Sequence, residues 1–136
     1  MPINSISFIQ EAERIVASGS NDEATHRNVV GRAYYGVYHC ALGLADSLLT
    51  PPLSACGGGS HKKVSDYYKT TMAGNRERVV KFRKVGINLL QMHSRRVTAD
   101  YKLDDTISAE DAESVLITSK AIIAELVGLG AVARVS

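Results

Sequence analysis

Apolar residues recur at intervals of three and four along nearly the whole chain, and strict alternation is absent, so the pattern predicts helices and no strands. A first helix is expected over residues 5–18, with Ile6, Ile9, Ala12, Glu13 and Val16 marking one side and Gly19 as its stop. A second, long helix is expected over residues 22–49; Asp22 and Glu23 favour its start through the helix dipole, and Thr50, Pro51 and Pro52 forbid its continuation. Residues 50–60, TPPLSACGGGS without strand or helix periodicity, are expected to form a flexible connector. Ser60 is positioned to cap a short third helix to residue 71, and Gly74 and Asn75 separate it from a fourth over residues 76–99. A fifth helix begins after Ser108, whose spacing to Asp111 fits a capping box, and runs to residue 127, leaving 128–136 to fray. The expected fold is all-α, an up-and-down helical bundle of four to five helices.

Projecting the second helix at ~100° per residue places Val30, Ala33, Tyr34, Val37, Ala41, Leu44 and Leu48 on a core-facing arc. Asn28, Arg32, Tyr35, Gly36, His39, Gly43 and Asp46 fall on the other side, with Arg32 and His39 two turns, ~10 Å, apart. Gly36 and Gly43 weaken a helix by roughly 1 kcal/mol each relative to Ala, a cost that makes sense where a partner helix or a nucleotide approaches closely. On the fourth helix, Lys81, Lys84, Asn88 and Arg95 share one face, while Val79, Phe82, Gly86, Leu90, His93 and Val97 lie towards the other.

Composition narrows the class. The 136 residues suffice for one domain with a real core, its body at about residues 5–127. Cys40 and Cys56 sit in unlike surroundings with no CxxC or Cys/His spacing, which predicts a reduced, cytoplasmic protein with no structural metal and no cofactor. No window approaches ~18 uninterrupted apolar residues and no leader pattern opens the chain, so neither secretion nor a membrane partner is expected. The net charge of +2 conceals segment charges of −2 over residues 1–60, +8 over 61–96 and −4 over 97–136. A concentrated basic middle suits a polyanion, since neutralising phosphates releases counterions; it also suits a solvated helix face.

The chemistry available on the second helix is specific. An imidazole exchanges a proton near neutral pH, and a guanidinium holds a phosphate and stabilises charge developing on it. His39 as general acid/base and Arg32 as phosphate clamp, supported by Asn28 and Tyr35, would suffice to cleave RNA through its own 2′-hydroxyl; Lys81, Lys84 and Arg95 would position RNA phosphates. The plainer alternative is that His39 hydrogen-bonds within the fold and Arg32 pairs with a carboxylate. Likewise His93 reads as a core or boundary residue, Arg96 and Asp100 as an ion pair four residues apart with Tyr101 packed beside it, and the tyrosines as core more than as base-stacking platforms.

Two segments carry a family resemblance. RAYYGVYHCALGL, starting at Arg32, resembles the motif helix of HEPN domains, small helical bundles in which Arg, four to six residues, then His is the ribonuclease motif; six residues separate Arg32 from His39. RVTADY, Arg96 to Tyr101, resembles the Arg-x-x-Ala-Asp-Tyr segment of a small stand-alone branch of that family, and a final helix near SAEDAE follows. His61 falls where that branch often has a histidine, and the resemblance spans roughly residues 8–126. It implies a metal-independent endoribonuclease acting on RNA, a toxin or defence effector, built as a homodimer through the Arg32/His39 face. It also implies, for some family toxins, a nucleotidyltransferase or other antitoxin partner, although His39 is followed by Cys40 and Ala41 and lacks the His-x-Tyr target of that regulation. Ala33 stands where many ribonuclease members have Asn, Asp or His. The competing expectations are a non-catalytic HEPN module that binds a nucleotide, RNA or a protein partner, and a purely structural dimerisation adaptor.

Overall fold

The computed structural model describes residues 5–72 and 74–130. They form five α-helices and one short 3-10 turn: α1 (Ser5–Ala17), α2 (Glu23–Leu48), the turn Leu53–Ala55, α3 (Ser60–Thr70), α4 (Arg76–Tyr101) and α5 (Ala109–Gly128). Among the described residues there is no strand, as the periodicity predicts.

α2 is the central helix. Its main partners are α1, α5 and α4, while α3 packs chiefly on α4. A helix with neighbours on several sides needs more than one apolar stripe, and α2 buries Val29, Val30, Ala33, Tyr34, Gly36, Val37, Tyr38, Cys40, Ala41, Leu44 and Ala45. The small residues in that set let the neighbouring axes come close, and Tyr34, Tyr68, Phe82, Ile9 and Leu126 fill the space between them. Buried hydroxyls are satisfied: Tyr68 Oη donates to the Ala41 carbonyl at 2.6 Å, and Ser65 Oγ to that of Gly86 at 3.0 Å.

Local signals set the helix ends. Asp22 caps α2 through the Thr25 N–H, Asn75 caps α4 through the Arg78 N–H, and Ser108 with Asp111 closes a reciprocal capping box on α5. Gly19 (φ 76°) and Gly74 (φ 96°) take the left-handed conformation that turns the chain before α2 and α4.

Arg27 joins three elements in a way no spacing signals. Its Nη1 donates to the carbonyls of Thr98, Ala99 and Lys102 at 3.1, 2.8 and 3.2 Å, supplying partners to the open C-terminal end of α4. Its Nη2 donates to the Asp105 carbonyl and, at 2.9 Å, to the Glu23 carboxylate, which also accepts the Ile107 N–H at 2.9 Å. α2 is thereby tied to the α4–α5 connection.

Several expectations need correction. Ser60 is the first residue of α3 and makes no side-chain cap; Gly59 holds the cap position. Val16, Leu48 and Leu90, placed on the apolar sides of their helices, are 44, 46 and 51% exposed. Tyr101 is 69% exposed at the end of α4, with the Arg96 guanidinium over its ring. The 50–60 connector is anchored: Leu53 is buried, and Asp46 accepts the Ser54 N–H at 2.8 Å. Leu129 is buried, while residues 131–136 of the expected frayed tail lie outside the described residues.

Candidate functional site

α2 presents Arg32, Tyr35 and His39 at spacings of three and four, which sets them above one another on one side of the helix. Arg32 and His39 are exposed and Tyr35 is half-buried. Arg32 makes no hydrogen bond or ion pair with the described residues; with Asn28, Gly31, Tyr35 and Asp100 it borders a shallow cavity of about 210 Å³. His39 has rings on its flanks and no hydrogen-bond partner among the described residues. Phe8 of α1 stacks on it at 5.4 Å, Tyr35 lies at 6.2 Å and Tyr38 meets it edge-on at 5.0 Å. This apolar cover disfavours the charged imidazolium and holds His39 below the ordinary imidazole range.

Behind Tyr35 stands Arg96 of α4. Its Nη2 donates to Tyr35 Oη at 2.9 Å and its guanidinium carbon lies 5.3 Å from the Tyr35 ring centroid, a cation–π contact. Arg96 Nε is 2.8 Å from Asp100 Oδ2, an ion pair by distance that lacks the alignment of a hydrogen bond. The sequence expectation of an Arg96–Asp100 pair thus holds, and the fold uses Arg96 further, to fix Tyr35 between Arg32 and His39.

On the other flank of His39 a second histidine group assembles. His61, in the first turn of α3, lies 4.7 Å from Tyr38 and stacks on His93 of α4 at 4.7 Å. Tyr34 Oη is 2.6 Å from His61 Nδ1. Burial lowers the His61 and His93 imidazoles; His93, Arg96 and His39 lower His61 further, and Arg96 lowers His93 further. A cavity of about 380 Å³ opens beside this pair, bordered by Lys62, Asp66, Lys69 and Leu90.

The structure therefore gathers Arg32, Tyr35, His39, Arg96, His61 and His93 along one continuous strip of α2, α3 and α4. Asn28 and Tyr35 accompany Arg32 as the projection predicts. Arg95 does not join them: it borders a separate cavity of about 160 Å³ with Ser94, Thr98 and Asp111, between α2, α4 and α5. Lys81 and Lys84 are exposed, and Lys81 lies 3.6 Å from Glu77 on its own helix. Besides Arg96, the cations beside the histidines are Lys62 and Lys69, which border their cavity and which the helix-4 projection could not reveal because they sit on α3.

Two further placements matter. Ala33 is fully buried, so the position after Arg32 faces the bundle interior. Gly36, expected on the open face, is buried: a Cβ there would lie 2.9 Å from Ile9 Cδ1 and 3.1 Å from the Ser5 carbonyl oxygen. Its smallness serves the α1–α2 contact within one chain. Gly43 remains exposed, with nothing within 4 Å of the equivalent point.

Among the described residues no three His, Cys, Asp or Glu side chains converge as ligands for a metal ion, and no helix is long and apolar enough to cross a membrane. Compared with protein-family models, curated proteins and solved structures, the chain matches none.

Proposed function

We propose that this protein is a HEPN-type endoribonuclease that cleaves RNA by attack of the 2′-hydroxyl on the adjacent phosphodiester, with His39 as general acid/base and Arg32 as phosphate clamp. The observation that carries this reading is that both groups are exposed on one side of α2 and neither makes a hydrogen bond or ion pair with the described residues, whereas the nearby Arg27 and Arg96 are both engaged. An arginine without a carboxylate partner keeps its full charge for a phosphate, and a neutral imidazole near pH 7 can accept the hydroxyl proton. The nucleophile belongs to the substrate, so a base and a clamp supply the essential chemistry.

A second copy meeting the first on this face would bring two such pairs together, and the open surface at Gly43 supports that arrangement. Size and shape measured by sedimentation should then report a dimer.

The deciding experiment incubates the protein with total RNA in EDTA beside Arg32→Ala and His39→Ala. Cleavage by the parent chain, lost in both variants with their helical content intact, supports the reading. RNA or nucleotide binding without cleavage would replace it with a non-catalytic binding module, and a dimer without affinity for either would indicate a structural adaptor.

A further inference from the structure

Resting on that ribonuclease reading, we infer that His61 is a second catalytic residue, the acid that protonates the leaving 5′-oxygen, and that Tyr34 is its positioning residue. His39 alone leaves half of the proton transfer unassigned. When the 2′-oxygen bonds to phosphorus, the P–O5′ bond breaks with its electron pair on O5′, and an alkoxide is a poor leaving group unless a proton arrives with it. The proton removed from the 2′-hydroxyl goes to His39. The one delivered to O5′ comes from a different group, and the products are a 2′,3′-cyclic phosphate and a 5′-hydroxyl.

His61 is placed for that task. The Tyr38 ring contacts both imidazoles, its centroid 5.0 Å from that of His39 and 4.7 Å from that of His61, so the two imidazoles lie close enough for one phosphodiester to meet both. The Tyr34 hydroxyl at 2.6 Å fixes the His61 ring by its Nδ1, which leaves Nε2 as the nitrogen uncommitted to that bond. Tyr34 is itself buried and its phenol is held well above the ordinary range by that burial, so it remains an uncharged hydroxyl. That hydroxyl donates to neutral His61 and accepts from the protonated ring, and it serves both ends of the transfer. His93 backs the ring by stacking.

The charged and titratable groups around His61 are Tyr34, Tyr38 and His39 from α2, His93 and Arg96 from α4, and Lys62, Asp66 and Lys69 on its own helix. Lys62 and Asp66 pair with each other at 3.1 Å, so no carboxylate is committed to the imidazole. An arriving phosphodiester anion supplies the negative charge that stabilises the protonated form.

The test uses an RNA oligonucleotide cleaved by the parent protein and the same oligonucleotide with the scissile 5′-oxygen replaced by sulfur. A thiolate leaves without a proton. His61→Ala should slow the oxygen ester by about a hundredfold or more and cleave the sulfur ester at close to the parent rate. Tyr34→Phe, which keeps the buried ring, should show a smaller loss confined to the same substrate. His39→Ala should slow both. Equal slowing of both esters by His61→Ala, or no slowing of either, overturns the assignment while the ribonuclease reading stands. A parent protein inert on both overturns the ribonuclease reading and this assignment with it.

Discussion

Gly36 and Ile9 are in contact so close that the α1–α2 interface has no room for a methyl group: a Cβ at Gly36 would meet Ile9 Cδ1 and Cγ1, each at 2.9 Å. Gly86 holds the same relationship to α3, where the added atom would lie 2.8 Å from the Lys69 backbone nitrogen and 2.9 Å from the Ser65 carbonyl oxygen. At Gly36 the nearest atoms belong to the Ile9 side chain, with the Ser5 carbonyl oxygen further off at 3.1 Å, whereas at Gly86 two backbone atoms lie under 3.0 Å and cannot rotate away. Gly36→Ala should therefore cost about 1 kcal/mol, the overpacking being partly offset by better helix propensity, and Gly86→Ala roughly 3 kcal/mol. Urea unfolding midpoints would rank the two, and a Gly86→Ala variant as stable as the parent would contradict the packing.

Arg27 should be the most sensitive arginine for stability. Removing it leaves the Ala99 carbonyl without this donor, takes one of two donors from the carbonyls of Thr98 and Lys102, and frees Glu23 on one side. We expect Arg27→Ala to lower stability by about 3 kcal/mol and to speed amide exchange at the α4–α5 connection. Arg32→Ala, with no partner among the described residues to lose, should leave the unfolding midpoint almost unchanged.

Acid should weaken the fold through its histidines. His39, His61 and His93 are all lowered, each first by burial, so the unfolded chain takes up protons before the folded one does. Their contribution is fully present above the ordinary imidazole value of 6.5 and is lost as pH falls through the lowered folded values. The melting temperature should drop on acidification from about pH 7 to about pH 5, and His61→Gln should flatten that drop. A parent melting temperature independent of pH over this range would refute it.

The same shifts predict the activity profile. If one of His39 and His61 must be neutral and the other protonated, kcat/KM for RNA peaks between their free-protein values, both below the ordinary imidazole range. The optimum should lie on the acidic side of neutrality, and an alkaline optimum would exclude this pair.

Arg32 and Arg96 should separate by magnitude. Arg32 is uncommitted, whereas Arg96 is spent on Asp100 and Tyr35. Arg32→Ala should reduce kcat/KM by about a hundredfold or more. Arg96→Ala should reduce it less and also destabilise the protein by about 1 kcal/mol as the cation–π contact is lost. Equal kinetic losses would mean that Arg96, too, reaches the phosphate.

The helical class, the order of the helices, the capping box at Ser108, the helix starts at Asp22 and Asn75 (though not their side-chain caps) and the shared side of Arg32 and His39 were all legible in the sequence. Each depends on contacts within a few residues or on the 3.6-residue period, which the chain carries locally. Projection failed where the answer lay in a neighbour. Gly36 looked open because its own helix cannot show that α1 covers it, and Leu90 looked buried because nothing in α4 shows that its neighbours stop short. His61, His93 and Arg96 came from separate segments, with His93 read as a core or boundary residue and Arg96 as half of an ion pair. Only the packing of α3 and α4 against α2 sets His61 on Tyr34 and His93, and Arg96 on Tyr35. The sequence thus determined which residues ride on which side of each helix. Tertiary structure decided which sides meet, because that depends on side-chain volumes contributed by three helices at once.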